Sequence, residues 1–138
     1  MFIKNQNGVA LVEFGLILPL LLLFIFGIIE FSLLLFNQHI ITNASREGAR
    51  AGIVVREQRL TDGEIQGVVN DYAQQHLITF GNKTFSLAEI SPPYADRDGY
   101  LFGTDLSVAV EFNYDFLFLS NLGFGPRTLR ARTVMRME

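Results

Sequence analysis

GVALVEFGLILPLLLLFIFGIIEFSLLLF, residues 8–36, is the most apolar stretch of the chain, and only Glu13 and Glu30 in it are formally charged. Between these two carboxylates lie sixteen consecutive uncharged residues. A helix from Val9 to Phe36 is roughly 42 Å long, which exceeds the ~30 Å hydrocarbon core of a bilayer. A small domain has no interior wide enough to enclose such a rod. The stretch therefore predicts a membrane-spanning helix over residues 9–36.

The chain length of 138 residues leaves room for one small domain beside this helix. The formal net charge is −3, so no global basic field indicates nucleic acid as a partner. The chain contains no cysteine, which excludes disulfides, thiolate zinc sites and cysteine nucleophiles together.

The helical pattern continues beyond the apolar stretch into residues 37–58. Residues 37–55 contain no proline and several alanines. Small side chains near Gly48 and Gly52 allow another backbone to approach closely, although each glycine weakens the helix by ~1 kcal/mol relative to alanine. We therefore expect one long rod, with an apolar half in the membrane and a polar extension outside it.

A second helix is predicted from about Asp62 to Leu77. Thr61 and Glu64 fit a capping box, in which the threonine hydroxyl and the glutamate side chain satisfy each other's backbone amides. The predicted inner stripe of this helix comprises Ile65, Val68, Val69, Tyr72 and His76. His76 is expected to be a partly buried core residue.

Beyond residue 84 the periodicity changes from 3.6 to two, which is typical of strands. The sequence predicts a short strand near residues 85–90, a clear one from Asp105 to Tyr114 and a last one from Arg127 to Met137. The inward residues of the middle strand are expected to be Leu106, Val108, Val110 and Phe112. We predict an α+β fold: a long N-terminal transmembrane helix that continues into a small domain with a second helix and a three-stranded antiparallel sheet.

Gly8 and Glu13 are the sharpest clues at the N-terminus. If the chain is cut after Gly8, the new ammonium of Val9 lies one helical turn, roughly 6 Å, from the Glu13 carboxylate. This ammonium then pairs with Glu13 of the same chain, or with Glu13 of a neighbouring chain that is displaced along the helix axis. Residues 1–8 are equally compatible with an uncut cytoplasmic tail, and Glu13 with an interfacial residue that reaches the headgroups.

The remaining polar residues each permit two interpretations. Glu30 is predicted to be an interfacial residue or a partner for an arginine of a packed neighbour. Arg46, Glu47 and Arg50 lie just past the membrane, and they form either a contact patch for partner subunits or a solvated face. On the last strand, an arginine opposite Glu111 is expected to form a structural pair.

The sequence does not favour an enzyme, since no P-loop, G-x-S-x-G or H-E-x-x-H motif occurs. The two aspartates at Asp96 and Asp98 do not fit the spacing of an EF-hand. We expect no catalytic residues, no metal and no cofactor.

Two segments carry a resemblance to a known family. Residues 8–14, GVALVEF, resemble the processing site of type IV prepilins, with Phe14 directly after the glutamate as in the tight-adherence (Tad) system. The following LPLLLLFIFGIIEF and residues 41–50, ITNASREGAR, closely resemble TadE-like minor pseudopilins.

The resemblance implies a pilin-like protein with a leader over residues 1–8, a transmembrane helix over 9–36, a helix extension over 37–58 and an outer α+β domain over 59–138. It implies cleavage after Gly8 by a prepilin peptidase, and recognition and assembly through Glu13 and Phe14. The implied place is the bacterial inner membrane, with the N-terminus cytoplasmic and the C-terminal domain periplasmic or extracellular, or the pilus itself.

The implied role is the assembly of Flp/Tad type IV pili, which serve surface adhesion and biofilms. The implied partners are the prepilin peptidase, other pseudopilins, the Flp major pilin, the Tad inner-membrane assembly platform and membrane lipids. The alternative from another class is an uncleaved bitopic membrane adaptor or ligand-binding receptor subunit.

Overall fold

The computed structural model describes residues 6–54, 59–80, 85–97 and 103–137. Its helices are α1 (Gln6–Ile53), α2 (Asp62–His76) and the short α3 (Tyr94–Arg97), and its strands are β1 (Phe85–Ser91), β2 (Asp105–Tyr114) and β3 (Arg127–Arg136). A single 3₁₀ turn, Leu119–Leu122, lies between β2 and β3. The predicted α+β arrangement is confirmed.

Helix α1 is continuous over 48 residues and includes Pro19. The predicted continuation of the apolar helix into its polar extension is confirmed as far as Ile53. Residues 55–58, where the extension was predicted to end, lie outside the described residues. At ~1.5 Å per residue α1 is about 72 Å long, so it extends well beyond any domain that packs on it.

The sheet is antiparallel in the order β1-β2-β3, so β2 is central. Strand β2 has the predicted bounds, and all four predicted inward residues are buried. Strand β3 ends one residue earlier than predicted. The sheet packs this inner face against α1 and α2, which gives one hydrophobic core.

Helix α2 begins with the predicted capping box: the Glu64 amide donates to Thr61 Oγ1, and the Thr61 amide donates to the Glu64 carboxylate. Its buried residues are Ile65, Val69 and Ala73. The prediction of a partly buried His76 is wrong. The helix ends at His76, and the next residue, Leu77, fills the core position, while the exposed imidazole stacks on the Tyr72 ring.

Gly48 and Gly52 lie where α1 meets the rest of the domain. A Cβ at Gly48 would overlap Cγ2 of Val69 in α2, and a Cβ at Gly52 would lie 2.5 Å from Cδ2 of Leu106 in β2. The glycines that weaken the isolated helix are thus what allows α2 and β2 to pack closely on it.

Gly48→Ala is expected to lower the stability of the full chain in detergent by up to about 2 kcal/mol. The gain of ~1 kcal/mol in helix propensity is smaller than the cost of overpacking against a stiff, fully buried valine, which is typically ~1–3 kcal/mol. Thermal unfolding followed by circular dichroism measures the difference.

Gly67→Ala in α2 is the matched control, because a Cβ there meets nothing within 4 Å. This variant is expected to gain up to ~1 kcal/mol. Equal stabilisation by both substitutions would contradict the packing role of Gly48.

Candidate functional site on the long helix

The N-terminal end of α1, residues 8–17, is exposed throughout, and the domain does not cover it. The predicted processing and assembly residues Gly8, Val9, Glu13 and Phe14 are all exposed. Within the described residues, Glu13 has neither a hydrogen bond nor an ion pair. An isolated carboxylate on an otherwise apolar helix is costly in a membrane unless it is paired or reaches the headgroups. The two interpretations of Glu13 therefore both stay predictions.

Glu30 has the opposite environment, because its side chain is completely buried. Its Oε1 accepts hydrogen bonds from the Tyr114 hydroxyl at 3.0 Å and from the Leu117 amide at 2.7 Å. Its Oε2 accepts from the Phe118 amide at 2.8 Å. The carboxylate therefore holds the end of β2 and the start of the β2–β3 connection against α1.

The interpretation of Glu30 as a partner for an arginine of a neighbour is wrong, because the carboxylate is buried within its own chain. Its predicted position at the membrane interface stays a prediction. All three donors belong to its own chain, and Tyr114 is 84 residues away in sequence. Sequence reasoning missed Tyr114, Leu117 and Phe118 because no local motif marks them. The available signal was Glu30 itself, since a carboxylate inside an apolar helix needs donors.

Tyr114, whose hydroxyl donates to Glu30, is only 3% exposed. Burial, and then the hydrogen bond to Glu30, raise the pKa of its hydroxyl above the ordinary value of 10.0. The neutral phenol is therefore favoured in the folded state. Its contribution to stability is present in full below pH 10 and is lost only as the pH rises further.

Farther along α1, three polar side chains bind the domain in the same way. Asn37 is fully buried and donates to the Ile78 carbonyl at 2.7 Å, while its Oδ1 accepts from the Ile78 amide at 3.1 Å. Gln38 donates to the Arg130 carbonyl, and Ser45 Oγ lies 2.6 Å from Thr133 Oγ1. We call Glu30, Asn37, Gln38 and Ser45 the polar seam of α1.

The other charged candidates lie outside the polar seam. Arg46, Glu47 and Arg50 are exposed, so the structure leaves them accessible to a partner without bringing one to them. Glu111 forms the expected cross-strand pair with Arg130, at 2.7 Å. Since the arginine side chain of this pair is 73% exposed, the pair adds little to stability.

Among the described residues no group of three or more His, Cys, Asp or Glu side chains is arranged to hold a metal ion. The expectation that the protein is not an enzyme stays a prediction.

Comparison with known families agrees with the geometry of α1. Residues 8–50 match the family model for TadE-like protein. This segment is TadE-like. The resemblance inferred from the sequence is thereby confirmed, over about a third of the chain. Neither a curated protein nor a solved structure gives a match.

The TadE-like segment contains every predicted site residue as well as Glu30, whereas the groups that bind Glu30 lie outside it. Its family points to Tad pilus systems. The segment also lies within the one helix of the described residues that is long and apolar enough to cross a membrane. A chain with this TadE-like segment and this helix fits a single-pass membrane protein of a pilus system.

Proposed function

We propose that this protein is a minor pseudopilin that takes part in assembling Flp/Tad type IV pili. The observation that carries the proposal is the exposed N-terminal end of α1, residues 8–17, an apolar helical segment that presents Glu13 without a partner among the described residues. The TadE-like match over the same residues supports it. A rod of this kind packs against the apolar helices of neighbouring subunits.

In this proposal a prepilin peptidase cuts after Gly8 at the cytoplasmic face of the inner membrane. The domain then lies on the periplasmic or outer side. The new ammonium of Val9 pairs with Glu13 of a neighbouring subunit and sets the axial shift between adjacent helices. Candidate neighbours are other pseudopilins and the Flp major pilin, held by the Tad assembly platform.

The exposed patch formed by Arg46, Glu47 and Arg50 supplies a second contact at the other end of the rod. These side chains are exposed to solvent and take no part in the polar seam that holds the domain. The patch and Glu13 are about 50 Å apart along α1, so one subunit contacts its neighbours both inside and outside the membrane.

N-terminal mass analysis of the protein isolated from its native membrane tests the proposal. The expected chain begins at Val9 in cells with an active prepilin peptidase and at Met1 in cells without one. Gly8→Val is the matched variant, and it should remain uncut in both. An intact Met1 start in peptidase-positive cells would instead support the uncleaved adaptor or receptor subunit.

A further inference from the structure

The β2–β3 connection contains an uncharged run of eleven residues, Phe116–Pro126, between Asp115 and Arg127. Six of these residues are large and apolar: Phe116, Leu117, Phe118, Leu119, Leu122 and Phe124. Leu122 and Phe124 are 58% and 57% exposed, so the domain does not cover them. We call residues 116–126 the apolar loop.

The apolar loop points toward the N-terminal, membrane-spanning part of α1. The Phe118 ring stacks on Phe26 with a centroid distance of 4.2 Å, and Leu122 lines an apolar cavity together with Leu22 and Pro19. Phe26 and Leu22 lie about 6 Å and 12 Å before Glu30 along the helix. The tip of the loop therefore reaches deep alongside the uncharged part of α1.

This depth places the loop in the bilayer. If the membrane ended below the loop tip, only Val9 to Leu22 would cross it, which is about 20 Å of helix against a hydrocarbon core of ~30 Å. The helix spans the core only when the membrane also includes the residues that the loop flanks. This argument is the same whether or not the chain is cut after Gly8.

The backbone of the apolar loop is suited to such a position. Irregular backbone enters lipid only where its amides and carbonyls are satisfied within the protein. Glu30 accepts from the amides of Leu117 and Phe118, and the amides of Asn121, Gly123 and Phe124 donate to carbonyls within the loop. Pro126 has no amide hydrogen to satisfy.

We infer that the apolar loop is a membrane-inserted element, which dips into the outer leaflet beside α1 with Leu122 and Phe124 in contact with lipid. Its partner is the bilayer itself. The loop fixes the domain at the membrane surface and shields the buried carboxylate of Glu30 from the acyl chains.

The absence of native cysteine makes the test direct, since each single-cysteine variant carries one label. The full chain is reconstituted in phosphatidylcholine vesicles with the environment-sensitive fluorophore NBD at Leu122→Cys or Phe124→Cys. Ser120→Cys labels the same loop without removing an apolar side chain. Leu16→Cys on the exposed apolar helix is the lipid control, and Val134→Cys, 53% exposed on β3, is the matched control away from the loop.

We expect the labels at 120, 122 and 124 to show the blue-shifted emission of the label at 16, and to lose most of their intensity with nitroxide-labelled acyl chains. The label at 134 should stay in water and be unaffected. Emission at 122 and 124 like that at 134 would overturn the inference. Blue-shifted emission without quenching by the lipid nitroxides would also overturn it, because a second copy rather than lipid would then cover the loop.

Discussion

Glu30→Ala is expected to be the most damaging single substitution outside the apolar core, with a loss of about 3–5 kcal/mol of folding stability. The substitution removes three hydrogen bonds to a buried carboxylate and leaves the Tyr114 hydroxyl and the amides of Leu117 and Phe118 without an acceptor. Hydrogen bonds to charged groups contribute ~1.5–3 kcal/mol each, and an orphaned buried donor adds its own desolvation cost. Chemical denaturation of the detergent-solubilised full chain measures the loss.

Two variants show where that loss comes from. Tyr114→Phe removes a single donor and leaves the carboxylate bound to both amides, so it should cost about 1.5–3 kcal/mol. Glu111→Ala breaks an exposed ion pair and should cost less than ~1 kcal/mol. If Glu30→Ala destabilised the chain no more than Glu111→Ala does, the buried carboxylate would not hold the β2–β3 connection.

Glu30→Gln separates the charge from the shape of this side chain. The amide keeps one acceptor oxygen, but its NH₂ group faces a backbone donor wherever it is placed, because both carboxylate oxygens accept bonds in the native chain. It should therefore be nearly as destabilising as alanine. The comparison matters for the apolar loop too, since the amides of Leu117 and Phe118 donate to this carboxylate.

Glu13→Gln is expected to reduce surface piliation on the order of tenfold while leaving the amount of protein in the membrane unchanged. Within the described residues this side chain is exposed and bonded to nothing, so its loss leaves the fold intact. An unpaired carboxylate costs ~2.5–3.5 kcal/mol at mid-membrane and less near the start of the span, where Glu13 lies, so a partner that relieves this cost favours assembly by roughly 1–2 kcal/mol. Every 1.4 kcal/mol is a factor of ten in an equilibrium constant.

The measurement is the quantity of pili sheared from cells that express each variant at equal membrane levels. Glu13→Asp keeps the charge on a shorter side chain and should retain part of the assembly, which distinguishes a charge pair from a purely steric contact. Wild-type piliation in the Glu13→Gln strain would refute the assembly role of Glu13.

These two carboxylates look alike in the sequence, and the structure separates them. Each interrupts an apolar helix. The neighbouring residues alone therefore predict for both the same free-energy cost of an unpaired carboxylate and the same need for a partner. Glu13 lies on the part of α1 that the domain leaves bare, whereas Glu30 lies beneath the end of β2. Which of the two carboxylates is available to a neighbouring subunit depends on where the domain packs on α1, and the spacing of residues in the sequence does not predict that position.

Much of the fold could be predicted because it depends on neighbouring residues. The alternation of apolar and polar residues from Asp105 to Tyr114 gave the bounds of β2, and the pair Thr61 and Glu64 gave the start of α2. The burial of His76 was predicted wrongly because the helical spacing in the sequence does not show that the helix ends at this residue. Leu77 took the core position instead.

By itself, the sequence determined the long helix, its length relative to a bilayer, the α+β class and the TadE-like N-terminal segment, because each is encoded in residues a few positions apart. Only the tertiary structure decided that Glu30 binds Tyr114 and the β2–β3 connection, and that the apolar loop lies beside Phe26. The physical reason is that these contacts join residues more than eighty positions apart. Their geometry is set by how the sheet packs on α1. This packing depends on Gly48 and Gly52, which helix propensity alone marks only as destabilising.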